Sequence, residues 1–303
     1  MREVLLSVSA TRNGLFMIGL AFLLGLASLN AAADAATLRA KYGDLREELR
    51  TNNFQRALHI DSLEGADNKV TGDVYAVLDH PFADVSGALK ESSNWCEILL
   101  LPFNTKYCRP GSRDGAVGLQ VRIGRKFDQP LDKAYRIDFA WRLLSATRDY
   151  LETRLDAGQG PLGTRDYRIS VSAIPLDGRR TFMHLSYSYG FGFAGRIAMQ
   201  AYLATTGADK VGFTVTGKDG NGQPTYIGGM RGAIERNAMR YYLAIDAHLG
   251  SRQAAPDQQF AKSIQTWFDE SERYSRQLHE MDRATYLAMK RGEYERQQTA
   301  IVD

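Results

Sequence analysis

The chain has 303 residues, 44% of them hydrophobic and 24% charged, and a formal net charge of +3. These proportions exclude intrinsic disorder and a chain made of membrane spans, and no basic tract is dense enough to suggest nucleic-acid binding. Only two cysteines occur, and the five histidines are scattered singly, so neither a metal-ligand cluster nor a bound cofactor is expected.

At the N-terminus, Arg2 and Arg12 precede the uncharged run LFMIGLAFLLGLASL (15–29), which opens into the small-residue stretch NAAADAA. A positive start, a short apolar core and a small-residue site predict a signal peptide over 1–33, with Ala31-Ala32-Ala33 as the cleavage triplet. The rival reading is an uncleaved anchor, although a spanning helix wants about 20 apolar residues. No cysteine follows the apolar run, which argues against a lipoprotein. The mature chain is therefore expected to be periplasmic or secreted, organised as one domain over 34–250 and a helical tail over 251–303.

Leu38, Tyr42, Leu45 and Leu49 recur at helical steps and predict a helix over 36–53 with one face docked on the body. RALHIDSLEG and KVTGDVYAVLD then alternate around a polar turn, the signature of a hairpin over 57–79. Phe82, Val85 and Leu89 predict a helix leading into NWCEILLLPFNTKYC (94–108), which holds Cys96 and Cys108. Their separation fits neither a two-residue redox gap nor a zinc knuckle. In an oxidising compartment a disulfide is expected, closing a loop worth about 3 kcal/mol in the chain-entropy model. Two buried free thiols are the alternative.

From 103 to 193 strand follows strand, divided at RPGSRDG, DQPLDK, DAGQGPLGT and DGR. Tyr135, Ile137, Phe139 and Trp141 share one face, and the pairing register becomes ambiguous near LLSATRD. In MHLSYSYGFGF, alternation places Met183, Leu185, Tyr187, Tyr189, Phe191 and Phe193 together. Hairpin-length links predict an antiparallel meander. A short helix (194–205), a hairpin turning at KDGNG and a long helix (229–249) carrying Met230, Ile234, Tyr241, Ile245 and Leu249 come next. The tail has only partial apolar stripes, from Phe260, Ile264, Trp267 and Phe268 to Leu278, Met281 and Leu287, and is read as wrapping the domain or awaiting a partner.

GFGFAG supplies a G-x-G-x-x-G pattern at Gly190, Gly192 and Gly195 between a strand and a helix, the local context of a dinucleotide fingerprint. The hairpin-linked strands before it offer no parallel crossover, and nicotinamide cofactors are scarce outside the cytoplasm. The glycines are therefore read as letting the strand bend and the helix approach. Hydrolase elbows and metalloprotease motifs are absent from the sequence, so no catalytic residue is assigned.

The hairpin 57–79, the segment PFADVSGALKESSNW, the strands to Phe193 and the helix from Met230 together resemble the helix-grip architecture of the START-like lipid-transfer and polyketide-cyclase superfamily, over roughly residues 57 to 249. The resemblance implies an α+β fold in which a curved antiparallel sheet wraps a long C-terminal helix, here with added N- and C-terminal helices, and leaves an apolar tunnel between them. The helix at 194–205 and the tail depart from that plan. Candidate tunnel residues are Trp95, Phe103, Tyr107, Phe139, Trp141, Tyr187, Tyr189, Phe191, Ile234 and Tyr241. A filled core is the alternative role for these side chains. The function expected is carriage of an apolar small molecule or lipid, with possible membrane-surface contact. The alternatives are a cyclase- or hydrolase-like enzyme on the same scaffold, or an envelope interaction module acting through the C-terminal helices.

Overall fold

The computed structural model describes residues 13–299 apart from 114, 206 and 208, so Arg2 and Arg12, on which the expected signal peptide rests, lie outside the described residues. A first helix, α1 (Asn13–Arg50), begins well before the expected start at 36, because the apolar run 15–29 is rich in helix formers. Among the described residues, no helix is long and apolar enough to cross a membrane.

Eight strands form one antiparallel sheet: β1 (Leu58–Glu64), β2 (Lys69–Leu78), β3 (Thr105–Arg113), β4 (Ala116–Ile123), β5 (Tyr135–Ala146), β6 (Leu151–Gln159), β7 (Thr164–Pro175) and β8 (Thr181–Phe191). Their order is β1-β2-β8-β7-β6-β5-β4-β3. The meander β3 to β8 thus closes back on the early hairpin, with Leu185 opposite Val74 on one side and Val171 on the other. The ambiguous stretch resolves into β5 and β6 with a bulge between Leu143 and Ser145. In the turn that follows, the Thr147 hydroxyl accepts from the Tyr150 amide.

Strand β3 runs through Pro110 and Gly111, which the sequence reading assigned to a turn. Its position at the sheet edge explains this, since a proline on an edge strand leaves no partner without a donor. The expected single helix after the hairpin is two, α2 (Phe82–Leu89) and α3 (Ser92–Leu100). Asn94 Nδ2 and Trp95 Nε1 donate to the Ala88 and Leu89 carbonyls, which satisfies the end of α2 and fixes the break. Cys96 on α3 and Cys108 on β3 form the disulfide, with 5.1 Å between their Cα atoms, so the bridge pins a helix to the sheet edge.

After β8 come α4 (Phe193–Ala204), a small hairpin of β9 (Val215–Lys218) and β10 (Pro224–Tyr226), and the long helix α5 (Gly229–Ser251). Alternation sends Val70, Val74, Met183, Leu185, Ile169 and Val171 to the face that meets α5. A Cβ on Gly72 would stand 3.1 Å from the Ile234 carbonyl oxygen, so glycine lets α5 lie this close to β2 without the helix backing away. The opposite face of the sheet is covered by α1, whose Leu38, Leu45 and Leu49 cluster with Ile174, Phe182 and Tyr150. This is the helical stripe expected from the sequence, with Tyr42 packed at its margin against Phe182.

The tail forms α6 (Pro256–Glu272), α7 (Ser275–Leu278) and α8 (Arg283–Thr299). Phe260, Ile264, Trp267, Phe268, Leu278, Tyr286 and Leu287 all belong to the main core. Trp267 Nε1 donates to the Arg240 carbonyl, and the Tyr286 hydroxyl to that of Leu101. The tail therefore completes the same hydrophobic body that the sheet and α5 begin. Beside it Lys106, Lys290 and Glu293 are fully buried together, Glu293 taking 2.9 Å and 2.7 Å contacts from the two ammonium groups.

Candidate ligand-binding cavity

Between the inner face of the sheet and the first half of α5 lies a cavity of about 330 Å³. One wall is aromatic. Tyr187 meets Tyr241 edge-on at 5.2 Å, and Tyr167 stacks on Tyr189 at 5.4 Å. Ile137, Phe139, Val121 and Ile123 continue the wall onto β4 and β5. Two phenol hydroxyls, those of Tyr187 and Tyr241, have no hydrogen-bond partner among the described residues, whereas Tyr167 donates to the Thr164 hydroxyl at 2.8 Å. Burial pushes the Tyr187 and Tyr241 hydroxyls upward in pKa, so both remain neutral donors.

Helix α5 presents Ala233, Arg236, Asn237, Arg240 and Tyr241 to the cavity. Those positions are one helical stripe at three- and four-residue steps. Arg236 is only 2% exposed, and its Nη1 donates to the Val211 carbonyl at 3.1 Å. No carboxylate lies within ion-pair distance of it among the described residues. Arg240 bonds Glu280 at 2.6 Å, and Lys126 reaches the same carboxylate oxygen at 2.6 Å. Lys210 adds a third cation at 3.5 Å. Burial, reinforced by Arg240, lowers Lys126 to about 8 even with Glu280 beside it. Burial alone would raise Glu280, but Arg240, Lys126 and Lys210 together hold it below the ordinary carboxylate range.

The cavity rim is the turn 161–163, where Leu162 is 60% exposed and has a left-handed φ of 57°. Helix α4 packs beside this turn. A Cβ on Gly195 would lie 3.2 Å and 3.3 Å from the Gly163 and Leu162 carbonyl oxygens, so the last glycine of G-x-G-x-x-G serves close helix approach. Strand β8 is flanked on both sides by antiparallel strands, which removes the parallel crossover that a dinucleotide site requires. Phe193 does not continue the β8 face: it opens α4 and is 82% exposed.

Of the ten residues singled out from the sequence, Phe139, Tyr187, Tyr189 and Tyr241 line the cavity. Trp95, Tyr107, Phe191 and Ile234 are buried away from its lining, and Trp141 packs against the main core. Phe103 is held edge-on between Trp267 and Tyr286, at 5.0 Å and 5.3 Å. The sequence reading passed over Lys126, Tyr167, Arg236 and Arg240. The arginines were legible as part of the α5 stripe, but charged residues on a helix are ordinarily assigned to the solvent side.

A second cavity, of about 530 Å³, opens beside the β9–β10 hairpin and is bordered by Glu48, Arg273 and Arg276. It has a ring cluster of its own, Phe54, Phe213 and Tyr274, but it meets the eight-stranded sheet only along β1 and does not reach the inner face that α5 covers.

No family model matches the chain, and no curated protein matches it. Among solved structures, a conserved protein from Geobacillus kaustophilus aligns at 10% identity over 59% of this chain and 95% of its own, with a TM-score of 0.35. Zhui aromatase/cyclase from Streptomyces sp. R1128 aligns at 12% identity over 71% and 95%, with a TM-score of 0.31. A norcoclaurine synthase point mutant from Thalictrum flavum, in complex with a transition-state analogue, aligns at 15% identity over 50% and 86%, with a TM-score of 0.30. At such scores the alignments are a likeness in strand and helix order and bear on neither ligand nor chemistry.

Proposed function

We propose that the chain is an exported protein that binds a small apolar molecule between its sheet and α5 and keeps it out of water. The observation that carries this reading is the tyrosine-lined cavity itself, hollow where the rest of the sheet–helix interface is packed. A ligand there gains about 25 cal/mol per Å² of apolar surface removed from water, and the free phenol hydroxyls of Tyr187 and Tyr241 orient its polar end. The Cys96–Cys108 bridge suits an oxidising compartment. Exposed Leu162, Phe193 and Ile197, on the rim turn and the adjoining helix, suit contact with a lipid surface from which such a ligand is taken. Native mass spectrometry of protein purified from a periplasm, followed by titration with the neutral probe N-phenyl-1-naphthylamine, tests this. Saturable one-to-one probe binding is expected, and the absence of both co-purified ligand and probe binding would remove the proposal.

A second reading, an enzyme on the same scaffold, is favoured by one observation. Lys126, lowered to about 8, is an amine able to exchange a proton near neutrality at the edge of the cavity.

A further inference from the structure

We infer that the ligand is an acid: the cavity is built for a compact apolar or aromatic molecule bearing one carboxylate-like anion, received by Arg236 with Lys126 and Arg240 beside it. The inference rests on the binding reading above and names the chemical class of its ligand. Three of the lining residues are cations, and none is acidic among the described residues. Their neighbour Glu280 is already shared among Arg240, Lys126 and Lys210. Positive charge therefore exceeds negative charge on this side of the cavity whatever Glu280 does.

Arg236 is the decisive residue. A guanidinium has five N–H donors, and one hydrogen bond to Val211 accounts for a single one of them. Burying a cation without a counter-charge is costly, and folded chains do so rarely unless another group neutralises it. Its neighbour Glu235 shows the opposite state: that carboxylate, fully buried, accepts from Ser62, from both Phe213 and Thr214 amides and from the Thr214 hydroxyl. Glu235 is complete within the chain. Arg236, pointing to the cavity side of the same helix, is not. A second polar atom lines the same cavity from β3: Thr105 is 1% exposed, and its Oγ1 is without a hydrogen-bond partner.

Size narrows the class. Taking the ~30 Å³ that a liquid water occupies as a unit, the cavity encloses on the order of ten to fifteen non-hydrogen atoms, and its open mouth lets a slightly larger molecule protrude. That suits a single medium chain or a fused aromatic acid and excludes a two-chain phospholipid.

Dodecanoate and dodecan-1-ol share a chain and differ in charge, so their competition against N-phenyl-1-naphthylamine at neutral pH tests the inference. Dodecanoate is expected to bind about tenfold or more tighter than the alcohol, the usual scale of a charge-assisted hydrogen bond. Arg236→Met is expected to abolish that preference, bringing dodecanoate to the affinity of the alcohol, its fold being checked by circular dichroism. Should Arg236→Met fail to fold, Lys126→Gln, whose side chain is 32% exposed, is expected to cut the preference severalfold on its own. Equal affinity for acid and alcohol in the unmodified protein overturns the inference and leaves the binding proposal standing. Failure of the probe and both ligands to bind overturns both. Vesicles of phosphatidylglycerol are expected not to compete; competition as strong as dodecanoate's overturns the compact-acid assignment.

Discussion

Two groups of buried cations in this molecule stand in opposite states. In the first, Lys290 donates to the carbonyls of Pro102 and Thr105 and to Glu293, while Lys106 donates to the Phe103 carbonyl and Glu293 and touches the Met289 sulfur. Each ammonium has as many partners as protons, and all three charged residues are fully buried. In the second, Arg236 reaches a cavity with one hydrogen bond made. The first group is a clasp that holds α8 on the segment joining α3 to β3. The second is an open site. Buried charge whose hydrogen-bonding groups the chain satisfies itself is structure, and buried charge left open toward a cavity points to a ligand.

The largest expected effect breaks the clasp altogether. Ending the chain at Gly250 removes Phe260, Ile264, Trp267, Phe268 and Tyr286 from the core. At about 1.5–3 kcal/mol for each fully buried large side chain, the loss is comparable with a domain's whole stability of roughly 5–15 kcal/mol. The truncated chain is expected not to fold, as read by circular dichroism and gel filtration. A folded truncated chain would instead make the tail an appendage.

Glu293→Gln is next. It leaves Lys106 and Lys290 buried without a counter-charge and is expected to cost about 3–5 kcal/mol, read as a fall in the urea midpoint at unchanged slope. Arg236→Met sharpens the contrast, since removing an uncompensated charge is expected to leave the free protein as stable as before or up to about 1 kcal/mol more so. A destabilisation as large as that of Glu293→Gln would place Arg236 among the structural cations.

The smallest expected effect is on pH. Lys126, facing Arg240, Lys210 and Glu280, is protonated below about 8 and neutral above it. Dodecanoate affinity is therefore expected to be full between about pH 6, where its carboxylate is still ionised, and that point, and to fall as pH rises through it, by roughly threefold, down to a level that the arginines sustain. Dodecan-1-ol affinity, followed by the same probe competition, is expected to stay flat.

The sequence made the frame legible and the open site less so. Alternation in MHLSYSYGFGF identified the β8 face, and the three- and four-residue steps of Leu38, Leu45 and Leu49 identified the docked side of α1, because both patterns are local. Pro110 and Gly111 misled, since their meaning depends on β3 being an edge strand, a property of the whole sheet. Phe193 misled because the close approach of α4 to the turn 161–163, permitted by Gly195, ends the strand first. The aromatic half of the cavity was visible through Phe139, Tyr187, Tyr189 and Tyr241. Arg236 and Arg240 were not, because a helical arginine reads as solvated until the fold shows which side of α5 it occupies.

The most direct test fills the cavity from α5. Ala233 lines it, and Ala233→Leu adds three methyl-sized groups to empty space. If the sheet–helix interface is hollow there, N-phenyl-1-naphthylamine binding is expected to be lost while the melting temperature holds or rises. If the interface is packed solid, the same substitution overfills it at about 1–3 kcal/mol. A lowered melting temperature with probe binding unchanged would contradict the account.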